Sequence, residues 1–149
     1  MKLTTLGCWG AYPYKDGGTT SYLVTSEDGF QLLMDCGSRA VTELEKEISP
    51  LDLDAVIISH YHPDHVADLG VLRHYFQLYP KHLWEPKILP IYGHTEDEQE
   101  FAKLTLDGVS QGKAYDVNGV EKIGPFDITF IKTVHPVPCY AFRIVERAK

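Results

Sequence analysis

Short apolar runs separated by Gly, Asp and Pro recur along most of the chain. Such runs are typical of strands. We predict strands at 3–6, 21–25, 30–34, 54–59, 88–92, 113–117, 120–123, 127–132 and 139–145. Glu27-Asp28-Gly29 joins the second and third as a hairpin turn. The run Ala55-Val56-Ile57-Ile58 is apolar throughout, which predicts a strand buried on both faces.

Three further segments have the hydrophobic spacing of helices. They cover residues 39–48, 66–78 and 96–106. Ser38 is the expected N-cap of the first helix, and Pro50 ends it. Thr95 is the expected N-cap of the third, with Glu98 at the capping-box position. This mixture of helices and strands predicts an α/β or α+β fold with a sizeable, mostly antiparallel sheet.

Length and charge limit the function classes. The 149 residues suffice for one domain, and a hydrophobic fraction of 44% is typical of an ordered globular protein. The net charge of −7 excludes a broad basic surface for nucleic acid. No apolar run could span a bilayer, and we expect no signal peptide. The three cysteines, Cys8, Cys36 and Cys139, are few and odd in number, which favours reduced thiols in a cytoplasmic protein.

The candidate chemistry lies in the segment His60-Tyr61-His62-Pro63-Asp64-His65, directly after the apolar strand. His60 and His62 are two residues apart and project the same way from an extended segment. Asp64 and His65 follow Pro63 and can point to an adjacent position. The spacing therefore suits two metal ions, and imidazoles with a carboxylate favour Zn²⁺, with Mn²⁺ or Fe²⁺ as alternatives.

Isolated residues of the same types are assigned no ligand role. His74, His82 and His94 each stand alone in the sequence, and a lone histidine is more often a surface or core residue than a ligand. We interpret Cys36 and Cys139 as small apolar residues that fill the core.

The pattern H-x-H-x-D-H after a buried strand resembles the metallo-β-lactamase superfamily. The segment Leu32-Leu33-Met34-Asp35-Cys36-Gly37 is similar to the superfamily's strand that ends in a buried aspartate. Gly18-Thr19-Thr20-Ser21-Tyr22 and His135-Pro136-Val137-Pro138-Cys139-Tyr140 resemble its ribonuclease-Z-like branch. That branch contains tRNA-processing endonucleases, smaller phosphodiesterases and other hydrolases.

The resemblance implies a role for each matching residue. His60, His62 and His135 correspond to the ligands of one metal, and Asp64 and His65 to ligands of a second. Asp64 also corresponds to a catalytic residue that helps to orient the nucleophile, and Asp35 to a carboxylate behind the ligands that orients their loop. The implied fold is a four-layer αββα sandwich, and the implied reaction is phosphodiester hydrolysis by a metal-activated hydroxide.

The chain departs from this pattern after His135. The family has a later bridging aspartate and a last histidine, whereas the 14 residues after His135 contain neither residue type. We therefore expect a single, C-terminally truncated domain over residues 1–149, equivalent to the first half of the sandwich plus one or two strands. Such a half leaves an apolar face and a strand edge open, which predicts a homo-oligomer or association with a missing C-terminal half.

Two readings of function stay open. The acidic balance, with Glu96, Asp97, Glu98 and Glu100 on one helix, favours a small phosphodiester or ester substrate over tRNA. The alternative is an inactive or single-metal half-domain that associates with a second copy or another chain.

Overall fold

Two β-sheets form the framework of the protein in a computed structural model that describes residues 1–148. The strands are β1 (Lys2–Trp9), β2 (Gly18–Thr19), β3 (Ser21–Thr25), β4 (Gln31–Met34), β5 (Ala55–Ile57), β6 (Leu89–Gly93), β7 (Ser110–Ala114), β8 (Glu121–Ile123), β9 (Phe126–Lys132) and β10 (Tyr140–Glu146). The first sheet has seven strands in the order β2-β1-β3-β4-β5-β6-β7, and the second has three in the order β10-β9-β8.

Short helices connect the strands of the first sheet. They are α1 (Ala40–Leu44), α2 (Pro63–Val66), α3 (Leu69–Leu78) and α4 (Glu98–Ala102), with a 3₁₀ helix at Pro50–Asp52. Within residues 1–148 none of the helices combines the length and apolar character needed to cross a membrane.

The prediction of a mostly antiparallel sheet is wrong for the first sheet. Strands β4, β5, β6 and β7 pair in parallel, as do β1 and β2, whereas β3 pairs antiparallel with both β1 and β4. A helical segment separates each parallel pair from β4 onward and carries the chain back to the edge where the previous strand began. The second sheet is antiparallel throughout.

The predicted helix boundaries also change. Arg39 rather than Ser38 is the N-cap of α1, at a φ of 70°. The Ser38 amide donates to Thr19 Oγ1. The cap of α4 is Asp97 rather than Thr95, and its side chain accepts from the Glu100 amide. Helices α1 and α4 are both shorter than predicted, and the predicted helix 66–78 is divided between α2 and α3.

Two apolar clusters cover the two faces of the first sheet. Val56 and Ile58 pack among the helices, whereas Ile57 packs against Phe126 and Ile128 of the second sheet. Successive residues of a strand point to opposite faces, so β5 is buried on both, as predicted. The fold is therefore α+β, as predicted, with helices on one face of the large sheet and the second sheet on the other. That second sheet has three strands within residues 1–148.

Candidate metal centre

The segment after β5 brings three histidines together. His62 Nδ1 lies 3.1 Å from His60 Nε2 and 3.0 Å from His135 Nε2. The three ligand atoms all lie within 4.8 Å of one another. His60 is buried, His62 half-buried and His135 exposed, so the cluster opens from the core toward solvent.

The donor set fits a tetrahedral metal ion. Zn–N bonds of about 2.0–2.1 Å place neighbouring ligand nitrogens roughly 3.3 Å apart. The two nitrogen separations at His62 are close to this value. Three imidazoles on one ion with one open position are typical of catalytic rather than structural zinc sites.

Backbone contacts between the two sheets place the three ligands. His60 and His62 follow β5, and Pro63 begins α2 directly after His62. His135 follows β9 on the second sheet. The Tyr140 amide donates to the Ser59 carbonyl, so the start of β10 is tied to the segment that carries His60.

Ser59 and Cys139 contact the back of His60. His60 Nδ1 lies 3.0 Å from Ser59 Oγ and 3.3 Å from Cys139 Sγ, which leaves Nε2 free to face the other histidines. Burial, reinforced by His65 and the other histidines of the cluster, lowers the pKa of His60 to about 4. The ring is therefore neutral at pH 7, as a metal ligand must be. The interpretation of Cys139 as a core filler is wrong, whereas Cys36 is fully buried in the core as predicted.

Asp35 connects this segment to the second predicted pair of ligands. Its Oδ1 accepts from the Ser59 amide at 2.8 Å, and its Oδ2 accepts from the Ser59 hydroxyl at 2.7 Å. The same Oδ2 lies 2.6 Å from His65 Nδ1. Asp35 thus fixes His65 with its Nε2 directed to Asp64, whose Oδ2 is 3.5 Å away.

Asp64 and His65 form a two-residue site beside the histidine cluster. The ring centroids of His60 and His65 are 4.1 Å apart. Burial opposes ionisation of Asp64, but the Ala11 amide, which donates to Oδ2 at 3.0 Å, and the nearby His65 lower its pKa. Burial also disfavours the charged form of His65, yet the contact with Asp35 raises its pKa.

His94 is a site residue that the sequence analysis assigned no role. It is 2% exposed and follows β6, next to the strand that carries His60. The hydroxyl of Tyr61 donates to its carbonyl at 2.7 Å. Burial lowers its pKa against the opposing influence of Glu96 and the Pro138 carbonyl. Its position at the carboxyl end of a parallel strand could have identified it, whereas His74 and His82 are exposed.

Known proteins are similar to this chain in sequence and in fold. The family model of the metallo-beta-lactamase superfamily matches residues 14–141. The chain belongs to the metallo-beta-lactamase superfamily. Among curated proteins, it is similar to the probable metallo-hydrolase YhfI of Bacillus subtilis (strain 168), with 44% identity over 98% of this chain and 59% of that protein. It is 29% identical to ribonuclease Z of Methanopyrus kandleri over 93% of this chain and 48% of that protein.

Solved structures of the superfamily have the same fold. The crystal structure of YhfI matches with a TM-score of 0.88 over 96% of this chain and 57% of that one. The short form of human tRNase Z matches with a TM-score of 0.72 at 21% identity, over 99% of this chain and 64% of that one. The chain therefore spans about half to two thirds of the length of these superfamily members.

Proposed function

We propose that the protein is a metal-dependent hydrolase of small phosphodiesters, with Zn²⁺ as its metal. The observation that carries this proposal is the convergence of His60, His62 and His135 with metal-like spacing. The names of similar proteins support it, since they include a probable metallo-hydrolase, ribonuclease Z and a diphosphatase of the PhnP family. Mn²⁺ or Fe²⁺ would also suit the donor set.

Each residue has a distinct task in this proposal. The three clustered histidines would hold one ion, and Asp64 and His65 would contribute to a second. When bound, the ions supply an activated water and stabilise charge on a phosphoryl oxygen. Hydrolysis adds this water across one P–O ester bond, releasing an alcohol and leaving a phosphomonoester. The lowered pKa of Asp64 keeps its carboxylate ionised at neutral pH, so that it can accept a hydrogen bond from the water and orient it.

The surroundings of the cluster favour a small substrate over tRNA. Three acidic residues, Glu96, Asp97 and Glu100, line the cavity next to His62. A polynucleotide bound at the cluster would place further phosphates next to these carboxylates, which repel them. A small phosphodiester has a single phosphate and brings no further negative charge into the cavity.

A single-metal half-domain is the second candidate function. The histidine cluster offers three ligands, but Asp64 and His65 are only two. The number of bound metal ions per chain separates the two candidates. We expect about two in an active hydrolase and one or none in a half-domain.

Metal analysis of variants tests the assignment. His62→Ala should lose tight binding at the histidine cluster, because two imidazoles hold an ion far less well than three. Asp64→Ala should keep that ion and lose the second. His74→Ala, at an exposed position, is the matched control. Elemental analysis measures the metal content per chain. Hydrolysis of bis(p-nitrophenyl) phosphate measures the activity of the same preparations. Equal metal loss in both site variants would contradict the two-site assignment. A metal-loaded protein that hydrolyses no phosphodiester would contradict the proposal that the protein is an enzyme.

A further inference from the structure

The hydroxyl of Ser59 lies between two groups of the candidate site. Its Oγ is 2.7 Å from Asp35 Oδ2 and 3.0 Å from His60 Nδ1. Ser59, Asp35 and His60 are 9%, 5% and 3% exposed, so all three are enclosed by protein. The hydroxyl has a single proton, and the direction in which it donates that proton decides which role is left for its second neighbour.

The Asp35 carboxylate fixes the direction of that proton. Its Oδ1 accepts from the Ser59 amide at 2.8 Å, which holds the carboxylate beside the hydroxyl. An ionised carboxylate can only accept hydrogen bonds, so the Ser59 hydroxyl donates to Oδ2. The hydroxyl then has only its oxygen lone pairs left for the His60 ring, and it accepts a hydrogen bond from that ring.

This arrangement determines which nitrogen of His60 carries the ring proton. A neutral imidazole has one protonated and one unprotonated nitrogen, and a metal binds the unprotonated one. Because Nδ1 donates to Ser59 Oγ, Nε2 keeps its lone pair and faces His62 Nδ1 at 3.1 Å. Cys139 Sγ lies 3.3 Å from His60 Nδ1, but a thiol is a weak partner that can donate or accept, so it does not select one tautomer.

The same carboxylate serves a residue of the second pair of proposed ligands. Asp35 Oδ2 lies 2.6 Å from His65 Nδ1, whereas Ser59 Oγ is 3.5 Å from that nitrogen. Asp35 therefore orients His65 directly and reaches His60 only through the Ser59 hydroxyl. Loss of the hydroxyl removes the contact to His60 and leaves the contact to His65 in place.

We propose that Ser59 is a positioning residue that holds His60 in the Nδ1–H tautomer, with Nε2 free to bind the metal. Through this hydroxyl, one buried carboxylate sets a ligand in each of the two proposed metal sites. The inference rests on the proposed function only for the metal binding of His60, and it is independent of the substrate.

Nuclear magnetic resonance of the metal-free protein at pH 7 tests the tautomer. Long-range proton–nitrogen correlations distinguish the protonated ring nitrogen of His60 from the unprotonated one. We expect Nδ1–H in the wild type and in Ser59→Thr, which keeps the hydroxyl, and a large fraction of Nε2–H in Ser59→Ala. Ser110→Ala is the matched control, because it removes a buried hydroxyl that donates to the Leu104 carbonyl, on a strand two places from β5.

Zinc affinity gives a second readout that needs no turnover. Competition with a chromogenic chelator should show about tenfold weaker binding at the histidine cluster in Ser59→Ala, recovery in Ser59→Thr and no change in Ser110→Ala. If the wild type binds no zinc, the proposed function fails, and the tautomer of the metal-free wild type still decides this inference. A wild-type His60 ring in the Nε2–H form, or a Ser59→Ala ring that stays in the Nδ1–H form, would overturn it.

Discussion

At the residue scale, one carboxylate controls the orientation of several site groups. Asp35 is 5% exposed and contacts the Ser59 amide, the Ser59 hydroxyl and the His65 ring. Its backbone φ of 56° lies in the left-handed region, which costs energy for a residue with a side chain. The hydrogen bonds of its carboxylate offset that cost, so the side chain and the strained backbone depend on one another.

Asp35→Asn should weaken metal binding without removing a ligand. The new NH₂ group would face the ring nitrogen to which Asp35 Oδ2 now binds, which disfavours the present orientation of His65. We expect metal affinity to fall about 10–100-fold, as is usual when the partner of a ligand histidine is lost. Competition with a chromogenic chelator measures it. Asp54→Asn is the control, because Asp54 accepts from the Gln31 amide at the opposite end of the same strands. An unchanged affinity in Asp35→Asn would show that His65 is oriented by other contacts.

The lowered pKa of His60 gives the metal-free protein a pH-dependent stability. Between the ordinary value of 6.5 and the folded value of about 4, the unfolded chain binds a proton that the folded chain refuses. Lowering the pH from 7 to 5 should therefore reduce the free energy of unfolding by about 2 kcal/mol through His60. The raised pKa of His65 changes the free energy of unfolding in the opposite direction. His65 is present in the wild type and in both variants tested below, so it does not distinguish them.

Urea unfolding in the presence of a chelator measures this effect. His60→Gln should lose less stability than the wild type between pH 7 and pH 5, and His74→Gln should follow the wild type. Identical pH dependence in His60→Gln and the wild type would rule out His60 as the source.

At the element scale, the carboxyl ends of β4 and β5 and the start of α2 are packed backbone to backbone. A Cβ atom at Gly37 would overlap the Asp64 carbonyl and Thr19 Oγ1. The Cys36 amide also donates to the His65 carbonyl at 2.7 Å. The turn after β4 thus sets the position of the segment that carries Asp64 and His65.

Gly37→Ala should disturb the second metal site more than the first. The added methyl group has to displace Asp64 or Thr19, at a cost of about 1–3 kcal/mol in stability. We expect loss of the second metal ion with retention of the first. Gly70→Ala is the control, because a Cβ there meets nothing within 4 Å and alanine favours helix α3 by up to about 1 kcal/mol. Thermal unfolding and metal content of both variants give the result, and retention of both ions in Gly37→Ala would contradict the packing argument.

Local patterns predicted some elements and site residues but not others. Strand β3 agrees with its prediction at both ends because its apolar run, Tyr22-Leu23-Val24, is unbroken and is bounded by Ser21 and Thr25. The predicted N-cap at Ser38 is wrong, because Arg39, at a φ of 70°, precedes the first residue of α1. His60 and His62 were predicted from one contiguous segment and His135 from the family resemblance, whereas the contacts of Cys139 and His94 arise only when separate strands come together. Parallel pairing was missed for the same reason, since no local pattern encodes it.

At the scale of the whole molecule, an apolar cavity remains open between the two sheets. It has a volume of about 230 Å³ and is lined by Met1, Leu3, Val24, Met34, Phe142 and Ile144. Leu3 is 63% exposed, and β10 pairs only with β9 in the described sheet. These features support the predicted association with a second copy or a further segment, which stays a prediction.

Light scattering on the purified 149-residue chain tests that prediction. We expect a mass above the 16.8 kDa of one chain, because burial of the open apolar surface favours association. Leu3→Lys, which places a charge at this surface, should shift the mass toward that of a monomer. Lys2→Glu is a control on the neighbouring exposed position. A wild-type mass of one chain at all concentrations would contradict the prediction.

The contact between His62 and His135 joins residues 73 positions apart. Closing a loop of this length in a flexible chain costs about 4 kcal/mol of chain entropy, which a single contact between two rings does not recover. The pairing of both sheets has to bring the rings together first. A nascent chain therefore acquires its third imidazole only after β9 has left the ribosome and joined the second sheet. Metal capture is then a late event of folding, and metal content reports how much of a preparation has reached the native topology.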